Sequence, residues 1–232
     1  MEINKDNIQV IGFDADDTLW VNETYFREAE EEFARLLSSY ETVNKIDQEL
    51  FKKEMDNLST YGYGIKAFVL SMIESAIELS NNTISHDKLS RILNIGKEMI
   101  HKPVELLPGV VDTLKGLKNK YKLILATKGD LLDQERKLEK SGLSSYFHHI
   151  EILSEKKEVN YLKLLTHLDI EPQHFLMIGN SLKSDILPLV NIGAQAIHIP
   201  FHTTWAHEVV EINDDEKAFA TFQSIDQILS VL

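Results

Sequence analysis

Three aspartates stand within four positions near the start of the chain, directly after the short apolar run Ile8–Phe13. Asp14, Asp16 and Asp17 are so closely spaced that their carboxylates repel one another and resist burial unless a cation compensates their charge. Asp14 and Asp16 are two residues apart, so on an extended backbone both can project toward one site. The segment therefore predicts a ligand site that needs a cation. The alternative is a solvated acidic loop that caps the next helix.

Three further segments carry polar groups just after apolar runs. Thr127 ends a second run, where its hydroxyl and the N–H groups of the following loop can hold a phosphoryl oxygen. Lys156 follows a third run within a charged stretch, and Asp185 comes after the tight turn Gly179–Ser181. Each segment alone also fits an ordinary role, as a turn, a solvated charge run or a helix N-cap.

The elements that must position these residues alternate regularly along the chain. Five unalternated apolar runs predict strands of a parallel sheet covered on both faces: Ile8–Phe13, Tyr121–Ala126, His149–Leu153, Phe175–Ile178 and Ala194–Ile199. Helical patterns occupy Val111–Lys120, Leu131–Ser141, Asn160–Leu168 and Ser184–Asn191. The alternation predicts an α/β fold with a doubly wound parallel sheet, which binds ligands at the carboxyl ends of its strands.

The region between the first and second strands breaks this rhythm, because only helical patterns are found there. They cover Phe26–Tyr40, Gln48–Leu58, Ile65–Leu79 and Ser85–Ile100. We therefore expect an all-α domain at residues 20–105, inserted into an α/β core made of residues 1–19 and 106–232.

Composition excludes several classes of function. The chain has 232 residues, no cysteine and a formal net charge of −13 at pH 7. Disulfides, zinc–thiolate sites and thiol nucleophiles are therefore excluded. The acidic balance argues against a nucleic-acid backbone or an anionic membrane as partner, but not against a small anion bound beside a metal ion. No segment reads as a signal peptide or a membrane span, so we expect a soluble cytoplasmic protein of open oligomeric state.

The order of the polar segments resembles that of the haloacid dehalogenase-like (HAD) hydrolase superfamily. Its pattern is a DxDx[TV] loop, a Ser or Thr after the second motif strand, a Lys, and an Asp in a glycine-containing turn. Asp14, Asp16, Thr127, Lys156 and Asp185 fall in that order, and the match spans nearly the whole chain. The resemblance implies the Rossmann-like core of this superfamily. The insert resembles the helical cap of the first type, and the whole pattern resembles the phosphatase branch.

The resemblance also implies a mechanism. Asp14 would be the nucleophile that forms an aspartyl-phosphate, and Asp16 would protonate the leaving group and then activate water. Thr127 and Lys156 would hold phosphoryl oxygens, with Lys156 also restraining Asp14. The implied cofactor is Mg²⁺, held by a carboxylate oxygen of Asp14, the backbone carbonyl of Asp16, and Asp185. The implied substrate is a small phosphorylated metabolite.

The remaining expected substrate-binding residues are Thr18, Lys128, Gly129 and Tyr63. Thr18 would orient Asp16 and hold the loop together. Two positions depart from the pattern of the superfamily. Asn180 stands where many relatives have Asp, which leaves Asp185 as the main carboxylate ligand from its turn. Lys128 replaces a common Asn, so one phosphate or leaving-group contact is expected to differ.

Several functions share this core. Asp16 counts against dehalogenation, because a dehalogenase attacks carbon, needs no metal and lacks an acid two positions after its nucleophile. Phosphomutase or another phosphoryl transferase activity stays open. A catalytically quiet binding protein is a further alternative, although a silent scaffold has no need of the clustered charge. Hydrolysis of phosphomonoesters is the preferred interpretation.

Three flanking segments remain open to interpretation. Trp20 either lines the cleft or is buried packing. Tyr61–Gly64 is either a recognition loop of the inserted domain, which is expected to select the substrate, or an ordinary turn. Phe201–Glu208 is expected to form a loop near the mouth of the cleft.

Overall fold

The computed structural model describes residues 3–212 and 218–232. The chain divides into two compact units. The first contains Met1–Glu23, Val104–Lys128 and Arg136–Leu232, and the second contains Thr24–Pro103 and Gly129–Glu135. The helical insert was expected at residues 20–105, so the structure sets its ends slightly further in. It also groups the segment Gly129–Glu135 with the helical unit instead of the core.

The first unit is built on one six-stranded parallel sheet. Its strands are β1 (Val10–Phe13), β2 (Lys122–Lys128), β3 (His149–Leu153), β4 (Phe175–Gly179), β5 (Gln195–His198) and β6 (Ala220–Thr221). The order across the sheet is β3-β2-β1-β4-β5-β6, and all pairings are parallel. The prediction of a doubly wound parallel sheet is therefore confirmed. The short strand β6 was not predicted, because two residues are too few to form an apolar run.

The central strands β1 and β4 are apolar and buried throughout because both faces of the sheet are covered there. On β1, Ile11 and Phe13 pack into one apolar cluster, whereas Val10 packs into another. The same division separates Leu176 and its neighbour Met177 on β4. Each large side chain buried in this way contributes about 1.5–3 kcal/mol relative to its exposed state.

Four helices complete the connections around the sheet: α5 (Val110–Leu117), α6 (Leu131–Ser141), α7 (Glu158–His167) and α8 (Leu187–Asn191). The helix expected at Ser184–Asn191 is replaced by a wider, π-type turn at Leu182–Ile186, followed by the short α8. The Ser181 hydroxyl accepts a hydrogen bond from the Ser184 N–H at the start of this turn.

The second unit consists of the helices α1 (Glu23–Leu37), α2 (Val43–Tyr61), α3 (Ile65–Leu79) and α4 (His86–His101). Its core contains Phe33, Ile46, Phe68, Met72 and Ile92. Within this unit, the Lys66 ammonium lies 2.8 Å from the Asp130 carboxylate, which ties the segment Gly129–Glu135 to the start of α3. In the described part of the chain, no helix combines the length and apolarity that crossing a membrane requires.

We expect Gly12→Ala to destabilise the core. A Cβ atom at position 12 would lie 2.5 Å from Cζ of Phe175, whose side chain is fully buried. The loss should be about 1–3 kcal/mol in urea-induced unfolding, as for other overpacked cores. In combination with Phe175→Leu, which makes room, the two effects should be less than additive.

Gly116→Ala is the matched control. A Cβ there would meet the tip of Leu229, a partly exposed side chain that can move. Because Gly116 lies inside α5, the control should be neutral or stabilising by about 0.5–1 kcal/mol. Equal losses for Gly12→Ala and Gly116→Ala would contradict the packing explanation.

Candidate active site

Two buried carboxylates converge on one ammonium group at the carboxyl edge of the sheet. The Lys156 Nζ atom lies 2.5 Å from Oδ1 of Asp14 and 2.6 Å from Oδ1 of Asp185. Asp14 follows β1, Lys156 follows β3 and Asp185 follows β4. Because all these strands are parallel, their ends deliver the three side chains to the same edge.

The charges at this point do not cancel. One ammonium faces two carboxylates, and all three side chains are at least nine-tenths buried. Burial, and then the neighbouring Asp185 carboxylate, raise the pKa of Asp14 to about 7. Burial alone would lower the pKa of Lys156, but Asp14 and Asp185 outweigh it and raise that pKa well above its ordinary value. The cluster therefore holds one negative charge too many for its degree of burial.

The turn after β4 is shaped to hold Asp185. Oδ2 of Asp185 accepts a hydrogen bond of 2.9 Å from the backbone N–H of Ser181. A Cβ atom at Gly179 would lie 2.4 Å from Cβ of Asp185. Only glycine fits at this position, so the strand end and the carboxylate can approach each other closely.

Thr127 is the expected hydroxyl at the end of β2, and its environment is unusual. The side chain is 1% exposed, and no group among residues 3–212 and 218–232 forms a hydrogen bond with its Oγ1 atom. A buried polar atom without a partner costs free energy, so such atoms are rare in folded proteins. An oxygen-rich ligand at this edge would supply the missing partner.

The Thr18 hydroxyl contacts the Asp14 carboxylate. Its hydroxyl lies 3.0 Å from Oδ2 of Asp14 and 3.2 Å from Oδ1 of Asn180, whereas the prediction was that it orients Asp16. The reason is the tight turn after β1, which folds Thr18 back over Asp14. Asn180, at the position that departs from the pattern, thus supports the Asp14 loop through Thr18.

Asp16 is held by two side chains that the sequence reading did not assign to it. The indole N–H of Trp20 donates to Oδ1 at 2.6 Å. The Lys137 ammonium donates to Oδ1 and Oδ2 at 2.7 and 2.8 Å, and also to Asn22 at 3.1 Å. Trp20 is fully buried, so of its two interpretations the structure supports buried packing. Lys137 lies on α6, and no local pattern links it to Asp16.

Asp17 has a structural role at the start of α1. Its carboxylate accepts hydrogen bonds from the backbone N–H groups of Asn22 and Glu23, the latter being the first residue of α1. Its backbone has φ 60°, in the left-handed region that Asp and Asn tolerate better than most residues. Burial is the largest effect on its carboxyl group and raises the pKa of Asp17 to about 7.

The other expected substrate-binding residues lie in different surroundings. The Lys128 ammonium lies 2.7 Å from a carboxylate oxygen of Glu208 and 3.2 Å from the Ser184 hydroxyl. It is therefore engaged within the protein. Gly129 and Tyr63 belong to the second unit, and their expected roles remain predictions.

The donor set at the carboxyl edge is suited to a hard cation. Among the described residues, no cluster of three or more His, Asp or Glu side chains could by itself enclose a metal ion. Mg²⁺ does not need one, because it is commonly bound by one or two carboxylates and keeps several waters. Asp14 and Asp185 provide two converging carboxylates with excess negative charge, which fits such an ion.

Known proteins resemble this chain in sequence and in fold. A sequence model described as haloacid dehalogenase-like hydrolase matches residues 8–193. A structure of a haloacid dehalogenase-like family hydrolase from Xanthomonas campestris is 38% identical, with a TM-score of 0.86, and the alignment covers 96% of this chain and 93% of that chain. A search of curated proteins found no significant match.

Two more distant structures share the fold. A 2-haloacid dehalogenase from Pseudomonas syringae is 18% identical, with a TM-score of 0.63 and coverage of 97% of both chains. A provisionally assigned HAD-hydrolase from Bacillus subtilis, bound to magnesium, is 16% identical, with a TM-score of 0.65 and coverage of 97% of this chain and 98% of that chain. The fold is therefore shared by enzymes of different names.

We expect the stability of the metal-free protein to fall as the pH rises from about 4 to about 7. A carboxyl group whose pKa is raised from 3.8 to about 7 holds a proton in the folded state that the unfolded state has lost. Each such group contributes a slope of up to about 1.4 kcal/mol per pH unit within this window. Above the folded-state pKa the slope vanishes.

Asp17→Asn should reduce the slope of stability against pH by the contribution of one carboxyl group. The contribution of Asp14 should remain. The measurement is urea-induced unfolding in EDTA at a series of pH values. The exposed Asp226→Asn serves as the control for the removal of one charged group at the surface. An Asp17→Asn variant with the wild-type pH slope would show that Asp17 does not titrate in this window.

Proposed function

This chain belongs to the haloacid dehalogenase-like hydrolase family, and within it we propose a magnesium-dependent phosphatase that acts on small phosphomonoesters through an aspartyl-phosphate on Asp14. The main support for this proposal is the pair of buried carboxylates, Asp14 and Asp185, which both contact the Lys156 ammonium. Together the three groups have one negative charge in excess. An anionic ester could approach Asp14 only if a further cation neutralised that charge.

The partners of a phosphoryl group can be assigned from the same edge of the sheet. We propose that the Thr127 hydroxyl, which is buried without a hydrogen-bond partner in the described part of the chain, donates to a phosphoryl oxygen. Lys156 is proposed to contact another oxygen while it holds Asp14 in place. Both groups would contact the phosphate and not the rest of the substrate.

Asp16 favours phosphoryl chemistry over dehalogenation. A carboxyl group two positions after the nucleophile provides the acid and base that ester cleavage needs, and attack on a carbon–halogen bond has no use for it. In the structure, Trp20 and Lys137 fix its side chain. We propose that Asp16 engages the leaving oxygen once substrate is present.

The proposed reaction has two balanced steps. Asp14 attacks phosphorus, a new bond forms from its carboxylate oxygen, the bond to the leaving oxygen breaks, and Asp16 gives that oxygen a proton. A water then attacks phosphorus and gives a proton to Asp16. The bond to Asp14 breaks, and phosphate leaves with the carboxylate restored.

The fit of Mg²⁺ follows from the same donors. Asp14 and Asp185 would hold it, together with the backbone carbonyl of Asp16. When bound, it supplies positive charge that lowers the repulsion between nucleophile and phosphate and stabilises the transition state.

The substrate is proposed to be a small phosphorylated metabolite. The net charge of −13 disfavours polyanionic partners such as nucleic acids, whereas a single phosphate group can be handled by local cations. A panel of sugar phosphates, nucleotides and phosphoglycolate, assayed for phosphate release with and without Mg²⁺, tests the proposal. Release that depends on Mg²⁺ supports it. Isomerisation without release would favour a mutase, and no turnover with metal bound would favour a binding protein.

The two aspartates should be separable with 4-nitrophenyl phosphate, whose leaving group departs without a proton. We expect Asp16→Asn to release about one nitrophenolate per enzyme in a burst, because the covalent intermediate forms but water is not activated. Asp14→Asn should show no burst. The measurement is stopped-flow absorbance. A burst of equal size in both variants would exclude Asp14 as the nucleophile.

Thr127→Val should separate function from stability. Because the Thr127 hydroxyl has no partner in the described part of the chain, its removal should change the free energy of unfolding little. Loss of a donor to the transferred phosphoryl group should lower the rate of phosphate release about 10²-fold.

The matched control is Thr113→Val, at a fully buried site on α5. The Thr113 hydroxyl donates to the backbone carbonyl of Ile225 at 3.3 Å. This variant should lose about 1 kcal/mol of stability and keep its activity. The reverse pattern, with Thr127→Val destabilised and fully active, would contradict the assigned role of Thr127.

A further inference from the structure

Glu208 lies at the centre of a polar cluster that the reaction described above does not use. Its carboxylate accepts hydrogen bonds from the hydroxyls of Ser181 and Ser184, at 2.5 and 2.6 Å, and from the Lys128 ammonium at 2.7 Å. The Glu208 side chain is 12% exposed and that of Lys128 is 14% exposed. The two groups thus form a largely desolvated ion pair, with both serines satisfying the carboxylate.

This cluster joins three segments that are distant in sequence. Lys128 directly follows Thr127 at the end of β2, and both serines belong to the turn that carries Asp185. Glu208 itself belongs to the turn Ala206–Glu208 after β5. The turn Ala206–Glu208 has a further contact, because the Lys183 ammonium donates to the backbone carbonyl of His207 at 2.7 Å.

Two successive hydrogen bonds connect Glu208 to the Asp185 carboxylate through Ser181. Ser181 donates its hydroxyl proton to Glu208, and its backbone N–H donates to Oδ2 of Asp185 at 2.9 Å. The Ser181 hydroxyl oxygen also accepts from the Ser184 N–H at 3.0 Å. Glu208 therefore contacts the residue whose backbone N–H holds Asp185.

We propose that Glu208 is a positioning residue that orients the Asp185 loop for metal binding and fixes the end of β2 through Lys128. The proposal rests on the proposed function, since it takes Asp185 as a metal ligand. Residues that orient metal ligands in this way often change metal affinity by about 10- to 100-fold when they are replaced.

The electrostatics agree with a fixed, ionised carboxylate. Burial would raise the pKa of Glu208, but the Lys128 charge and the hydrogen bonds from Lys128 and the serines outweigh it and lower the pKa to about 2. The group is therefore a permanent anion near neutral pH. It also neutralises Lys128, which accounts for a lysine at a position where the superfamily commonly has Asn.

The test is calorimetric titration of Mg²⁺ into the full chain without substrate, at a temperature where every variant is folded. Glu208→Gln removes the charge and keeps the size of the side chain. We expect its dissociation constant for Mg²⁺ to rise on the order of 10-fold. Ser181→Ala removes the hydroxyl that joins Glu208 to the residue whose backbone N–H holds Asp185, and it keeps the Lys128–Glu208 pair. It should show a rise in the same direction.

Glu211→Gln is the matched control, because it removes the same charge three residues away from an exposed position. It should bind Mg²⁺ like the wild type. Unchanged affinity in both Glu208→Gln and Ser181→Ala would overturn the proposal, as would an equal loss in Glu211→Gln. If Glu208→Gln does not fold, Ser181→Ala decides in the same way.

The proposed function is tested separately by phosphate release. A wild type that binds Mg²⁺ but hydrolyses none of the phosphate esters would contradict the phosphatase proposal, while the comparison of Mg²⁺ affinities would still decide the role of Glu208. A wild type that does not bind Mg²⁺ would contradict both.

Discussion

The buried contact of Lys156 with Asp14 and Asp185 is the interaction on which the rest of the site depends. Two carboxylates and one ammonium are withdrawn from water together, and each of them would be costly to bury alone. Their imbalance of one negative charge gives the site its character, because it makes a bound cation favourable and keeps Asp14 poorly neutralised without one. Glu208, Thr18 and Gly179 can each be understood as support for this contact.

The parallel sheet explains how this chain brings the three charges together. β1, β3 and β4 end at one edge of the sheet. Residues that follow these strands therefore lie close together there, although they are far apart in sequence. Glycine at position 179 then allows Asp185 to approach the end of β4. The sheet is stabilised by apolar packing on both faces, and that packing offsets the cost of holding like charges close to each other.

Much of this could be predicted from the sequence, for a physical reason. Apolar runs and the polar residues that follow them are local features, and the rule that parallel strands end at one edge turns them into a site. The fold class and five of the six strands follow from it, whereas the grouping of Asp14, Lys156 and Asp185 was implied by the resemblance to the HAD superfamily. The HAD family assignment rests on the same residues and is shown by the match over residues 8–193.

Other contacts could not be predicted because nothing local encodes them. Lys137 is 121 residues from Asp16, and Glu208 is 80 residues from Lys128. Each looks like an ordinary charged surface residue in its own segment. The resemblance implied that Thr18 orients Asp16, whereas the turn after β1 directs its hydroxyl to Asp14. Side-chain partners across a tertiary fold depend on geometry that a single sequence does not specify.

The most direct measurement of the central claim is the position of the phosphoryl group in a trapped intermediate. The Asp16→Asn variant, mixed with Mg²⁺ and 4-nitrophenyl phosphate and quenched in acid, would be digested and mapped by mass spectrometry. We predict one phosphoryl group per chain, on the peptide that contains Asp14, and none in the Asp14→Asn, Asp16→Asn double variant. A phosphoryl group on any other residue, or phosphate release without a covalent intermediate, would contradict it.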